Sequence, residues 1–176
     1  MLQSKNYHPP ATILVLIAMT IAMFLLITAL AIDAGRILVI KTKLQSIADQ
    51  SVNAGASIIG DLILTAATNH QNADPKLNTI NDPLQLITEQ DIQNILNSES
   101  EIIKETEKYL NLNSQNSNIE IQNYQIIYPY NYITGDSKLF VKIIIEHRKD
   151  LIFGKLIRED FVDLKIESVS AMQIRE

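Results

Sequence analysis

From Ala11 to Ile32 the chain reads ATILVLIAMTIAMFLLITALAI, about 22 residues without a charge. As a helix this run rises about 33 Å, enough to cross a hydrocarbon core of about 30 Å in which a backbone must satisfy its own hydrogen bonds. It predicts one transmembrane helix. Pro9 and Pro10 mark the start, because the N–H that proline lacks would have no partner in a first turn. The competing reading is a cleaved signal peptide, with Ala29, Leu30 and Ala31 as an A-x-A site and Lys5 ahead of the run. Against cleavage, the run is longer than a signal core of about 7 to 15 residues, and helical patterning continues through the site. A retained anchor is therefore expected.

The 176 residues leave room for one modest domain beyond that anchor. A mean hydropathy of +0.07 averages the apolar N-terminal third with an Asn-, Glu- and Lys-rich remainder. There is no cysteine, which excludes a disulfide scaffold, a thiolate metal site and a cysteine nucleophile. At a net charge of -5, with Lys and Arg scattered among Asp and Glu, no basic stripe with interleaved aromatics is available for a phosphate backbone. Nucleic acid is not an expected partner.

Beyond the run, residues 33–68 contain no proline. Leu44, Ile47, Ala48, Ser51, Gly55, Ile58 and Leu62 fall near one stripe at steps of three and four. This predicts an amphipathic stalk continuing the first helix, and its small residues allow another backbone to approach closely. Residues 69–87, with Asn-Ala-Asp-Pro and Asn-Asp-Pro, read as a loop. Thr88 and Asp91 suggest a helix cap, followed by Ile92, Ile95, Leu96, Ile102, Ile103 and Leu110 at helical spacing. After NLNSQNSN the pattern alternates over 119–127, 138–146 and 161–172, predicting an antiparallel sheet of three or four strands. The expected fold is α+β. Its parts are a tail over 1–10, a transmembrane helix over 11–32, a stalk over 33–68, a loop over 69–87 and a globular domain over 88–176.

Motifs for chemistry are missing. His8, His70 and His147 have no metal-ligand spacing, and there is no GxGxxG, GxxxxGK[ST], GxSxG or HExxH. Glu99, Glu101, Glu105 and Glu107 alternate with Lys104 and Lys108 as a solvated helix face does. Tyr124, Tyr128, Tyr130 and Tyr132 lie around one hairpin, suited to strand-edge packing or, less simply, to a stacking surface for peptide or glycan. No enzyme activity, cofactor or metal is expected.

The segment AIDAGRILVIKTKLQSIADQSVNAGAS, residues 31–57, resembles the N-terminal signature of TadE/TadG-like proteins of Flp (tight-adherence) pilus assembly. There an apolar span is followed by a pattern like V-D-x-G-R, an L-Q pair and A-A-D-A-A-A-x-A-G-A. Asp33, Gly35, Arg36, Leu44, Gln45, Ala48, Asp49, Ala54, Gly55 and Ala56 stand at the matching places. The chain's close is also similar to that of small family members: an alternating strand, an apolar turn from Leu151 to Leu156, then a strand ending in Ser168-Val169-Ser170-Ala171.

The resemblance implies a pilin-like fold and a non-enzymatic minor pilin or pseudopilin in the bacterial inner membrane, with its C-terminal domain periplasmic or extracellular. It implies membrane lipid and other pilin-like or pilus-assembly proteins as partners, in a homo- or hetero-oligomer, with the matched residues as interaction positions. Charge counting points the other way, since Lys5 precedes the span while Arg36, Lys41 and Lys43 follow it; the resemblance is followed here. The prepilin-peptidase pattern is absent from PPATILVL at 9–16, and so is the D-x-S-x-S of a von Willebrand A-type domain. The chain thus reads as a short member without that domain. The alternative is a membrane-tethered periplasmic binding or sensor domain that uses the tyrosine hairpin.

Overall fold

A computed structural model describes residues 11–174; Pro9, Pro10, His8 and the rest of the expected tail lie outside the described residues. One helix, α1 (Ala11–Ala73), contains the whole apolar run and continues far beyond it. No proline interrupts it. The hydroxyls of Thr20 and Thr28 donate to the carbonyls of Leu16 and Phe24 at 2.8 Å, so these polar groups within the apolar stretch are satisfied by the helix itself. The helix is long and apolar enough to cross a membrane, and large side chains along its first turns, Leu14 and Phe24 among them, are exposed.

The chain divides into two compact units. One combines α1 up to Val39 with Lys149–Val162, and the other combines Ile40–Arg148 with the segment from Asp163 onward.

The larger unit holds the core. After α1, two short 3₁₀ turns, Pro75–Thr79 and Pro83–Leu86, are each opened by an aspartate. The carboxylates of Asp74 and Asp82 accept from the N–H groups of Lys76 and Leu84 at 3.0 Å, and each following proline occupies a first-turn position that needs no donor. Thr88 caps α2 (Glu89–Asn97) in a reciprocal capping box with Asp91. The single helix expected here is two, because Ser98 turns out of helical geometry before α3 (Glu99–Ser117). α3 then runs through the polar NLNSQNSN stretch and stops at Asn118, which adopts the left-handed conformation that asparagine tolerates.

Three strands follow, β1 (Asn123–Ile127), β2 (Lys138–Asp150) and β3 (Phe161–Gln173), in an antiparallel sheet of order β1-β2-β3. In the first pair Gln125 stands opposite Ile144. Alternation along β2 sends Leu139, Val141, Ile143 and Ile145 to the interior. They join Leu44, Ile47, Val52, Ile59 and Ile63 of α1 and Ile92, Ile102 and Leu110 of the other helices in one cluster. On α1 the large side chains buried past Gly55 are those of Ile59 and Ile63. Ile58 and Leu62, expected on the stripe, flank it half-buried. Neighbouring positions are only about 100° apart around a helix, so spacing alone does not choose between them.

Candidate functional site

Two carboxylates on α1 hold segments more than a hundred residues away in sequence, each within its own unit. Asp33 is almost fully buried (5 % exposed) at the end of the apolar run. Its Oδ1 and Oδ2 accept from the backbone N–H groups of Ile152 and Phe153 at 2.9 and 2.7 Å. Arg36 stands one turn on, its guanidinium 3.7 Å from the same carboxylate. The anion is thereby paired and hydrogen-bonded, the condition under which a buried carboxylate is tolerated.

The turn held by Asp33 is closed on itself. Leu151 N–H donates to the Asp160 carbonyl at 3.0 Å, and a 3₁₀ turn (Gly154–Ile157) lies between. Gly154 is required because a Cβ there would collide with the Glu159 carbonyl and the Leu151 side chain. The turn nevertheless displays Ile152, Leu156 and Ile157 outward.

In the larger unit Asp49 Oδ1 accepts from the Ser168 hydroxyl of β3 at 2.6 Å and from the Gln45 amide at 2.8 Å. Leu44, Ala48, Ser51, Gly55 and Ala56 are buried within that unit. A Cβ on Gly55 would overlap the Thr106 hydroxyl of α3 and crowd Val141 of β2. The glycine therefore lets α3 and the sheet approach α1. Thr106 is itself fully buried, its hydroxyl donating to the Ile102 carbonyl at 2.8 Å.

The residues matched to the signature thus separate into two groups. Asp33, Leu44, Gln45, Ala48, Asp49, Gly55 and Ala56 are engaged inside the chain, and Ala54 is half-buried. Gly35 is exposed with open space where a Cβ would stand, and Arg36 is part-exposed. Sequence reasoning quoted the Leu151–Leu156 turn and Ser168 without seeing that they partner the two aspartates. The aspartate directly after the apolar run was the available signal.

The tyrosines around the hairpin have different surroundings. Tyr128 is buried and donates to the Ile95 carbonyl at 3.1 Å; burial, then the nearby Glu99 and Tyr132, push its hydroxyl well above the ordinary range. Lys142 sits 4.7 Å over the Tyr130 ring, and Tyr124 donates to Glu107. His70 joins Asp91 at 2.9 Å. Burial raises the Asp91 carboxyl, but hydrogen bonds from Thr88 and His70 outweigh it and leave the group below its usual value. On the sheet, Glu167 lies 2.8 Å from both Lys142 and Lys165, whose hydrogen bonds hold its carboxyl down to about 2. Among the described residues no group of three His, Cys, Asp or Glu is arranged to hold a metal.

What these features define is an α+β protein with a long apolar N-terminal helix whose flanking carboxylates fasten its C-terminal segments. Residues 11–57 match the model of the Tad family, described as putative Flp pilus-assembly TadE/G-like. The match covers the apolar run and the signature, and it supports a component of pilus assembly. No curated protein and no solved structure matches the chain.

Proposed function

We propose that the chain is a minor pilin or pseudopilin-like structural component of Flp pilus assembly. In this reading the apolar part of α1 lies in the bacterial inner membrane and the polar domain lies on its periplasmic or outer side. The observation that carries the reading is the coincidence of the family match, residues 11–57, with the apolar helix and the two aspartates that fasten the C-terminal segments. Each aspartate ties a C-terminal segment to α1 within its own unit, the kind of internal bracing a structural part requires. The role asks for association and not turnover, in keeping with the open space that, among the described residues, surrounds the position of a Cβ on Gly35.

The test is complementation of a deletion strain, scored by pilus number and by co-purification with pilus-assembly proteins. Gly35→Leu fills open space, so it is expected to leave the protein's level unchanged while reducing co-purification and piliation. Normal piliation in the deletion strain itself would contradict the proposal.

A further inference from the structure

The turn from Leu151 to Arg158 has a fixed backbone yet presents its apolar side chains outward. Leu156 is 59 % exposed and Ile152 56 %, while the backbone around them is closed by the Asp160 and Phe153 carbonyls and by the Asp33 carboxylate. A flexible loop could fold such side chains inward; this one is held so that they stay out. Asp33 follows directly on the apolar run, so the N–H groups it grips set the turn at the end of the run. From there Phe153 and Leu156 reach back along the helix, lining a hollow with Leu25, Ala29 and Ile32. Ala29 is buried (8 %) although its neighbours along the run, Phe24 to Thr28, are exposed, so the turn overlaps the run by at least one helical turn. Lys155 and Arg158 are both exposed in the turn, ahead of the exposed Glu159 and Asp160.

We infer that this turn is a second membrane-contacting element, dipping its apolar side chains into the same leaflet that the end of the α1 run occupies. The inference rests on the transmembrane reading of α1. Its occupant is lipid, because the patch is continuous with a helix surface of the length and composition of a span and shares its hollow. The lysine and arginine match the phosphate level above the acyl chains, where long cationic side chains keep their charge hydrated while their stems lie along apolar surface. The aspartate then has a positional role: it fixes how deep the turn sits beside the helix.

The chain has no cysteine, so single cysteines can be introduced and labelled without background. The full-length protein, carrying an environment-sensitive fluorophore at Leu156→Cys or, independently, at Ile152→Cys, is reconstituted in vesicles of phosphatidylethanolamine and phosphatidylglycerol. Met19→Cys serves as the span reference and Ser100→Cys, on the polar α3, as the aqueous reference. The expected result is a blue-shifted emission at both turn positions, quenched by nitroxides on the acyl chains, as at Met19, and spared by a water-soluble quencher. Quenching at Met19 with both turn labels behaving like Ser100 overturns the inference and leaves the span intact. Turn labels shielded from both quenchers put another protein chain over the turn and overturn it as well. If Met19 is not quenched by acyl-chain nitroxides, the span reading fails and the inference fails with it.

Discussion

Asp33 and Gly55 are matched signature residues whose work is inside the chain, while Gly35 has no such work, and substitutions should separate them. Replacing Asp33 by Ala removes the acceptor of two N–H groups, each charge-assisted hydrogen bond contributing about 1.5–3 kcal/mol. Amide exchange at Ile152 and Phe153 is expected to accelerate by roughly tenfold or more, with little change at core amides such as Ile143. At Gly55, alanine gains up to about 1 kcal/mol of helix propensity but overpacks against Thr106 for about 1–3 kcal/mol, so the net change is destabilising. At Gly35 the same substitution meets open space and should be neutral or stabilising by up to about 1 kcal/mol. Thermal unfolding of the two glycine variants in one detergent checks the opposite signs.

At the level of elements, legibility followed periodicity. The uncharged run, the Asp-Pro turns, the Thr88 cap and the alternation along β2 were all visible, because each is a local rule acting on neighbouring residues. What escaped depended on distant partners. The break at Ser98 carries no proline or glycine, and α3 runs through an asparagine-rich stretch because its Leu110 and Thr106 are anchored in the core. Likewise the small stripe on α1 read as a surface for close approach by the chain's own sheet or by another helix, and the fold adds α3 beside β2 as the neighbours that use it at Gly55. The ion pairs of the sheet set a pH dependence. The folded Glu167 carboxyl, at about 2 beside an ordinary value of 4.5, contributes stability that is complete above the ordinary value and is lost as pH falls towards the folded one. Asp163, lowered by its hydrogen bond from Arg148, acts with the same sign. The urea midpoint should therefore drop between about pH 5 and pH 2, and Glu167→Gln should flatten part of that drop.

For the molecule as a whole, the sequence sufficed for the fold class because an apolar run of membrane-spanning length and a β-rich C-terminal third admit few arrangements. The candidate site was half legible: the signature named positions on α1, but Ile152, Phe153 and Ser168 meet those positions only in the folded chain. The account makes α1 a retained anchor and the β-sheet domain its outward cargo, and one measurement addresses both. In spheroplasts expressing the protein with a C-terminal tag, external protease is added and the tag is followed by blot alongside alkaline extraction of the membranes. The account predicts a full-length protein that resists extraction and a tag that external protease removes while the spheroplasts stay intact. A tag protected until lysis, or a protein shortened by the run and released in soluble form, would contradict it.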